Sequence, residues 1–343
     1  MELAIVGAGA AGAAAAYALR ETPVETTVFE KSRGVCGRAA TRRRGDCRYD
    51  HGANYLKSKS ERINRLVTET LPSDDLVDIE EPVWVFDGDG EISPGREADE
   101  HKWTYRTGIT GLAKRLFEET DAEIEFETRV GSLSQTEGRW RLRDVDDTPL
   151  GTFDAVLLTP PAPQTADLLA ETTWAEKAEL GAELQATVEA VPYRTIYTVV
   201  ARYPFELDRP WYGIVDVEKE HPIGWVGREE LKPGHVPDGS LLVIQMSPEY
   251  STRRYDDPSE AVKADVTDRV AELLSDERLA DPEWTDRQGW LYALPEDGAD
   301  EATLRQAESE GLFFAGDWVV GDARLHRAVE VGLDTGERIA DTS

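Results

Sequence analysis

The sequence has little cysteine, methionine and lysine, and it contains no long hydrophobic run. Its only cysteines, Cys36 and Cys47, are not in C-x-x-C spacing, so we expect neither a metal site nor a disulfide framework. No apolar run approaches the roughly 20 residues needed to cross a membrane. Met1 leads directly into an apolar strand pattern, which leaves no room for a signal peptide and predicts a cytoplasmic protein.

Positive charge is also scarce, with 38 basic against 68 acidic residues and a net charge of −30 over 343 residues. The acidic excess is spread along the chain, as in proteins kept soluble in high salt, which predicts a halophilic source. Such a surface repels nucleic acid and anionic lipid, so we expect neither as a partner. An anionic substrate would need a local patch of arginine, for which Arg253 and Arg254 are candidates.

The first residues carry a glycine motif between a strand pattern and a helix pattern. The apolar run Leu3–Val6 predicts a buried strand, and Ala10–Leu19 predicts a helix. Between them, Gly7 permits a tight turn, Gly9 lets a pyrophosphate approach the backbone, and Gly12 lets the helix pack on the strand. The helix N-terminus offers free N–H groups to phosphates.

A second strand supports a dinucleotide site. Thr26–Phe29 predicts this strand, and it ends at Glu30, 18 residues past Gly12. An acidic residue near that distance suits the hydroxyl groups of a ribose. In the following basic segment, Gly37 and Arg38 offer a backbone N–H and a guanidinium to phosphates. The sequence therefore predicts that the first 40 residues bind a dinucleotide.

Both ends of the chain resemble one known family. The sequence GAGAAG, Glu30, a G-x-x-G-R run ending at Arg38 and the run Asp50–Ala53 resemble the opening of the FAD-dependent amine-oxidase superfamily. Within it the spacing is most similar to renalase-type oxidoreductases, although Cys36 replaces the first of their paired glycines. Leu312–Asp317, ending in Ala-Gly-Asp, and the predicted helix Leu325–Ile339 resemble the family's return to the first strand.

The resemblance implies non-covalent FAD, with the pyrophosphate at the glycine motif and the flavin ring at the last helix. The cofactor-binding residues it implies are Gly7, Gly9, Ala10, Ala11, Gly12, Glu30, Lys31, Gly37, Arg38, Gly52, Ala53, Val130, Gly316, Asp317, Ala328 and Val329. Of these, Val130 would contact adenine through its backbone, and Asp317 would meet the ribityl–pyrophosphate part. Asp317 and Asp322 could each also be a simple helix N-cap.

Aromatic residues outside the motifs are candidates for the wall of a substrate pocket. They are Trp103, Tyr105, Trp211, Tyr212, Trp225, Trp290 and Tyr292, and each could instead be a core residue. We take Trp290, Tyr292 and His51 as candidate catalytic residues, because His51 lies in the motif beside the flavin in relatives. His326, at the start of the last helix, is a weaker candidate.

The predicted fold class is α/β, a Rossmann-like FAD-binding domain with an inserted antiparallel-sheet substrate domain. Residues 1–60, 105–160 and 285–343 would form the first domain, and 61–104 and 161–284 the second. Further predictions are helices over Ser58–Thr70 and Leu168–Leu184, a loop over Pro94–Lys102, and strands at Thr128–Val130 and Trp211–Tyr212.

The predicted activity is oxidation of a small organic substrate by hydride transfer to flavin, with oxygen as acceptor and peroxide as product. The renalase resemblance implies that the substrate is an isomeric dihydronicotinamide dinucleotide. Alternatives are a flavin amine oxidase, a polyene or porphyrinogen desaturase, and a flavin-binding regulator without turnover. We expect a monomer or a homodimer.

Overall fold

The computed structural model describes residues 1–57, 59–96 and 100–342. The strands are β1 (Glu2–Val6), β2 (Glu25–Phe29), β3 (Thr41–Arg44), β4 (Cys47–Asp50), β5 (Leu56–Lys57), β6 (Leu76–Asp78), β7 (Val83–Phe86), β8 (Ile92–Ser93), β9 (Lys102–Tyr105), β10 (Glu123–Glu125), β11 (Val130–Thr136), β12 (Arg139–Asp144), β13 (Pro149–Phe153), β14 (Ala155–Leu158), β15 (Tyr193–Tyr203), β16 (Gly213–Asp216), β17 (Ile223–Arg228), β18 (Ser240–Met246), β19 (Trp284–Pro295) and β20 (Leu312–Phe314). The helices are α1 (Ala10–Leu19), α2 (Glu61–Arg65), α3 (Gly111–Glu118), α4 (Ala162–Ala170), α5 (Ala178–Glu189), α6 (Pro248–Arg254), α7 (Ser259–Leu273), α8 (Glu301–Gln306), α9 (Asp317–Val320) and α10 (Leu325–Thr342).

A parallel sheet contains the glycine-motif strand at its centre. Its order is β10-β2-β1-β14-β20, and every neighbouring pair is parallel. Leu3, Ala4 and Ile5 are fully buried, as expected for a parallel strand covered on both faces. The predicted first strand, glycine turn, helix and second strand are confirmed, and the fold class is α/β. Because β20 joins this sheet, the last part of the chain lies beside the first.

Helix α10 packs closely on α1 through small residues. A Cβ added to Gly332 would lie 2.3 Å from the Ala11 carbonyl oxygen, and one added to Gly336 would lie 2.7 Å from that of Ala15. Glycine at these positions therefore lets the two helix backbones approach at a distance that larger residues would prevent. This packing positions the N-termini of α1 and α10 on the same part of the molecule.

A seven-stranded sheet forms the second large layer, in the order β19-β15-β18-β17-β16-β7-β8. Helix α7 covers it with Val262, Val266 and Val270, which are fully buried against the sheet's apolar residues. The prediction of a purely antiparallel sheet is wrong at one pair, because β16 and β7 are parallel. Strands β7 and β8 form an antiparallel hairpin around the sequence DGDG.

Helix α4 and helix α5 replace the single helix predicted over Leu168–Leu184. The chain is interrupted because Thr173 pairs with β11: its N–H donates to the Leu133 carbonyl at 2.9 Å, and its carbonyl accepts from Gln135 at 2.8 Å. Trp174 then packs edge-on against Trp140, with ring centroids 5.2 Å apart. A helical period in the sequence did not reveal this extra strand contact.

Other element predictions are wrong at their boundaries. Thr128 is not in a strand, because a turn at Glu127 (φ 54°) ends β10 and β11 begins at Val130. Trp211 and Tyr212 are buried outside any strand, and β16 begins after them. Of the predicted helix Ser58–Thr70, residue 58 lies outside the described residues, and an α-helix over 61–65 continues as a π-helix over 66–70. The loop predicted at 94–102 includes residues 97–99, which also lie outside them.

The arrangement of strands differs from the predicted domain boundaries in two places. Strand β19 pairs with β15 in the seven-stranded sheet, although residues 285–295 were assigned to the parallel-sheet domain. Helices α4 and α5 share a core with the parallel sheet, although they were assigned to the other domain. Among the described residues, no helix is long and apolar enough to span a membrane.

Candidate active site

A cavity of about 1760 Å³ lies between the parallel sheet and the seven-stranded sheet. Its wall includes Glu30 at the end of β2 and Gln245 on β18. Pockets for drug-sized ligands measure about 300–1,000 Å³, so this cavity has room for a dinucleotide together with a second molecule. It brings together most residues that the sequence predicted to bind a cofactor.

The glycine turn forms one end of the cavity, and its glycines have different roles. A Cβ added to Gly9 would meet no atom within 4 Å, because this residue faces the open cavity. Gly7 adopts φ +101°, which the tight turn requires. Gly12 does not line the cavity, and a Cβ there would lie 2.2 Å from the Gly7 carbonyl oxygen. Gly12 therefore serves the helix packing that its position in the motif predicts.

The N-terminus of α1 points at this end of the cavity without a side-chain cap. Ala10 and Ala11 line the cavity, and first-turn N–H groups of a helix have no partner within it. These groups and the helix dipole make the position favourable for an anion.

Glu30 lies at the end of β2, beside the turn. Its carboxylate accepts hydrogen bonds from the N–H groups of Ala8 and Ser32, each at 2.8 Å. These bonds hold a buried acid at the cavity wall. Lys31 and Val130 also line this part, and burial lowers the pKa of the Lys31 ammonium.

Cys36, Gly37 and Arg38 follow β2 along the same wall. Cys36 has φ +79°, a left-handed conformation that favours glycine. Its thiol donates towards the Ile109 carbonyl, with sulfur and oxygen 3.9 Å apart, and burial raises its pKa to about 12. The thiol is therefore neutral.

Arg38 joins three separate segments at the middle of the cavity. Its Nη2 donates to Asp317 Oδ1 at 2.6 Å, and its Nη1 donates to the Ala293 carbonyl at 2.9 Å. Burial alone lowers the pKa of Arg38, but the Asp317 carboxylate and Tyr193 together raise it above its ordinary value. Asp317 is the first residue of α9 and its cap position is Gly316, so the N-cap alternative does not apply to Asp317.

Trp290 and Tyr292 form part of the wall on β19, whereas His51 lies behind Trp290 and does not reach the cavity. The His51 and Trp290 rings are stacked, with centroids 5.5 Å apart, and the indole N–H donates to the His51 carbonyl at 3.0 Å. Burial, together with the charge of Arg42, lowers the pKa of His51 to about 4. The predicted direct contact of His51 is thus replaced by packing behind Trp290.

The remaining predicted residues divide between the cavity and the core. Gly52, Ala53, Gly316, Ala328, His326 and Trp225 line the cavity. Val329 does not line the cavity, because it is fully buried in the core of the parallel sheet. Four of the predicted aromatic residues also lie outside the cavity lining: Trp103, Tyr105, Trp211 and Tyr212. Arg253 and Arg254 also lie outside the cavity lining, and Arg254 forms an ion pair with Asp257.

Sequence reasoning missed several residues of the wall. Asn54 and Tyr55 directly follow the Asp50–Ala53 motif, so extending that motif by two residues would have found them. Gln245 carried no signal, and its side chain donates to the Gly52 carbonyl at 2.8 Å. Basic residues other than Arg253 and Arg254 line the cavity: the lysines at 57, 59 and 102 and the arginines at 96, 129 and 324.

A cluster of buried charged residues surrounds Asp50, the first residue of the Asp50–Ala53 motif. Asp50, Glu229 and His235 could ligate a metal, but the Lys232 ammonium lies 2.9 Å from Asp50 and 2.6 Å from Glu229. All four side chains are fully buried. Burial alone lowers the pKa of Lys232, but the two carboxylates raise it above its ordinary value. An ammonium thus supplies the positive charge that these donors require.

The cavity's residues fit a bound dinucleotide. Gly9 leaves open space, α1 has no side-chain cap, and Asn54 Oδ1 and Trp225 Nε1 are buried at the wall without a hydrogen-bond partner in the described protein. Unpartnered buried polar atoms carry a free-energy cost that a ligand can relieve. The fold is α/β, and this cavity has the size and the donor groups that a dinucleotide requires.

Comparison with known proteins identifies the family. The model for NAD(P)-binding Rossmann-like domains matches residues 5–70, and the model for flavin containing amine oxidoreductases matches residues 91–340. The chain belongs to the flavin containing amine oxidoreductase family, and it is a flavin-dependent oxidoreductase. The resemblance to the amine-oxidase superfamily is confirmed.

Solved structures show the same fold over the whole chain. An Exiguobacterium sp. 255-15 protein assigned as a protoporphyrinogen oxidase has a TM-score of 0.80 at 17% identity, covering 100% of this chain and 99% of its own. A putrescine oxidase variant with redesigned cofactor binding has a TM-score of 0.75 at 13% identity, with coverage of 100% and 99%. Cyclohexylamine oxidase from Brevibacterium oxydans IH-35A has a TM-score of 0.73 at 14% identity, with 99% of each chain covered.

Proposed function

We propose that this protein binds FAD non-covalently and oxidises a small organic substrate, with molecular oxygen as the final acceptor. The observation that carries the proposal is the continuous cavity, which extends from the glycine turn to the aromatic residues of the seven-stranded sheet. It offers a phosphate-binding end and an aromatic end within one enclosure. A flavin supplies a ring that accepts a hydride from carbon and is reoxidised by oxygen.

The residues of the parallel-sheet side would hold the cofactor. Gly9 and the first turn of α1 would bind the pyrophosphate, and Glu30 would accept hydrogen bonds from the adenosine ribose. Asp317 and Arg38, held together by their ion pair, would contact the middle of the molecule. The N-terminus of α10 would face the end of the cofactor where negative charge develops on reduction.

The aromatic end would position the substrate and exclude water. Trp290 is fixed by its stack on His51 and by its indole hydrogen bond, so its ring has little freedom. Trp225 and Tyr55 pack against each other, with ring centroids 6.3 Å apart, and both line the cavity. With its pKa near 4, His51 is neutral at pH 7 and serves as a support. Hydride transfer from a bound substrate requires no general base.

For the substrate we propose an isomer of a dihydronicotinamide dinucleotide. A flat, partly apolar dihydropyridine ring suits an aromatic wall, and the cavity has space beyond one dinucleotide. Primary and secondary amines, which the family's name suggests, and porphyrinogens are the competing substrates. All three classes would use the same cofactor site.

Anaerobic stopped-flow mixing tests this proposal. Protein reconstituted with FAD is mixed with 2- and 6-dihydronicotinamide adenine dinucleotide, putrescine, cyclohexylamine or protoporphyrinogen, and flavin absorbance is followed. Rapid bleaching by a dihydronicotinamide isomer, with slower or no bleaching by the others, is the expected result. Bleaching by an amine or a porphyrinogen alone would assign the other substrate class. Failure to take up FAD in concentrated salt would refute the proposal as a whole.

A further inference from the structure

Three of the nine lysines of this acidic chain line one region of the cavity. Lys57 on β5 and Lys102 on β9 are directly opposite each other in an antiparallel pair of strands. Lys59, two residues after Lys57, also lines the cavity. Residues that are directly opposite in such a pair project to the same face, with Cβ atoms about 4.5–5.5 Å apart. The sheet thus places two lysine side chains of like charge directly opposite each other, an arrangement that destabilises a pair of strands.

Carboxylates satisfy only part of this positive charge. Glu100 contacts Lys57 at 3.2 Å and Lys59 at 3.8 Å. The ammonium of Lys102 has no ion-pair partner within 4 Å among the described residues, although acidic residues outnumber basic ones in the chain. Lys102 is also half-buried, and this burial lowers its pKa. The carboxylates of Asp78 and Glu81 oppose the shift, and the neighbouring Lys57 adds to it. Among the described residues, Lys102 therefore faces the cavity without a direct ion pair, and only the longer-range charges of Asp78 and Glu81 offset its own.

We propose that Lys57 and Lys102 form a subsite for an anionic oxygen group of the substrate, a phosphate or a carboxylate. The proposal rests on the proposed function and narrows its substrate class to anions. Two ammonium groups suit an anion with several oxygens, because each donates charge-assisted hydrogen bonds. In the free protein Glu100 forms an ion pair with Lys57, and the incoming anion displaces the Glu100 carboxylate. A protonated amine would be repelled at this position.

Binding of simple anions tests the subsite without any turnover. The FAD-loaded protein is titrated calorimetrically with inorganic pyrophosphate and, separately, with glutarate. The FAD occupies its own phosphate site, so pyrophosphate reports on a second one. We expect binding of at least one anion and a tenfold or greater loss of affinity in each of Lys57→Gln and Lys102→Gln. Tighter pyrophosphate binding points to a diphosphate substrate, and tighter glutarate binding points to a carboxylate.

Two further variants serve as controls of opposite kinds. Lys114→Gln makes the same charge change on an exposed residue of α3 outside the cavity, and it leaves anion affinity unchanged. Glu100→Gln removes the competing carboxylate and increases anion affinity several-fold. Lys102→Gln also raises the melting temperature of the ligand-free protein, because it relieves repulsion in the strand pair. That result distinguishes a binding lysine from one that stabilises the fold.

Activity gives an independent readout. The dinucleotide isomers are compared with a neutral N-benzyl dihydronicotinamide isomer, which lacks phosphate. The lysine variants are expected to raise KM for the dinucleotide at least tenfold, with little change in kcat and no change for the neutral compound. If neither compound reduces the flavin, the proposed function is refuted. The calorimetric titrations still test the anion subsite in that case, because they require no turnover. Anion binding that is absent in the wild-type protein, or equal in all variants, would overturn the inference.

Discussion

Two glycines of the same motif should respond in opposite ways to one added methyl group. At Gly9 a Cβ meets no protein atom within 4 Å, whereas at Gly12 it lies 2.2 Å from the Gly7 carbonyl oxygen and 3.3 Å from the Ile5 side chain. Gly9→Ala should therefore damage cofactor binding, and Gly12→Ala should damage the fold. The pair is matched, because the chemical change is identical and the positions are three residues apart.

The magnitudes follow from what each methyl group would contact. At Gly12 the main obstacle is a backbone oxygen 2.2 Å away in the tight turn, so overpacking should cost about 3 kcal/mol, the upper end of the usual range, and still about 2 kcal/mol after the gain in helix propensity. At Gly9, the N-cap of α1, alanine should cost about 0.5–1 kcal/mol of stability. A methyl group that displaces the pyrophosphate should weaken FAD affinity at least tenfold, or about 1.4 kcal/mol.

Thermal melting with and without FAD separates the two effects. At a concentration 100 times its Kd, a ligand stabilises a protein by about 2.7 kcal/mol, and a tenfold weaker Kd reduces this to about 1.4 kcal/mol. Gly9→Ala should thus lose about half of the FAD-induced rise in melting temperature. Gly12→Ala should melt lower even without FAD, and fluorescence quenching titrations give the Kd of each variant.

The reasoning would be refuted if Gly9→Ala bound FAD as tightly as the wild-type protein. It would also fail if the two ligand-free variants were equally destabilised by several kcal/mol, because Gly9 would then be needed by the fold. Both measurements should be made at high salt, since the chain carries a net charge of −30.

Three other predictions concern the residues around the cavity. Burial, and after it the charge of Arg42, lowers the pKa of His51 to about 4 in the folded protein. The unfolded chain therefore binds the extra proton first, and the free energy of unfolding should fall by up to about 3 kcal/mol as the pH falls from about 6.5 to 4. His51→Phe should flatten this part of the pH profile measured by urea unfolding. Lys232→Met leaves two carboxylates buried without their cation, so it should lower the free energy of unfolding by about 3–5 kcal/mol, measured by chemical denaturation. A smaller loss would show that the two carboxylates become protonated at little cost. Asp317→Ala should cost about 1.5–3 kcal/mol by releasing Arg38, measured by denaturation of the FAD-free protein, and an unchanged stability would show that the ion pair contributes nothing.

The ends of the chain were the most predictable part of the fold. Strand β1, helix α1 and strand β20 follow from short apolar runs bounded by glycine, where local sequence and tertiary environment favour the same structure. The break between α4 and α5 could not be predicted in the same way, because it depends on Thr173 pairing with a distant strand. The parallel pairing of β7 with β16 is likewise a property of the assembled sheet.

The candidate site was predictable where it is made of motifs. Gly9, Glu30 and Arg38 lie at the cavity as their spacing indicates. His51 was misplaced because sequence position does not reveal which side of the backbone faces a cavity, and here Trp290 lies in front of it. The lysines were missed because their common location depends on the register of β5 and β9.

The order of strands in the parallel sheet has a consequence for synthesis in the cell. Strand β1 is made long before β20, the edge strand on the other side of β14, and β20 is followed by the residues of α9 and α10 that complete the cavity wall. A nascent chain on the ribosome therefore holds an open glycine loop with no opposite wall. Cofactor capture must wait until α9 and α10 have emerged, so a product that stops before them would be colourless.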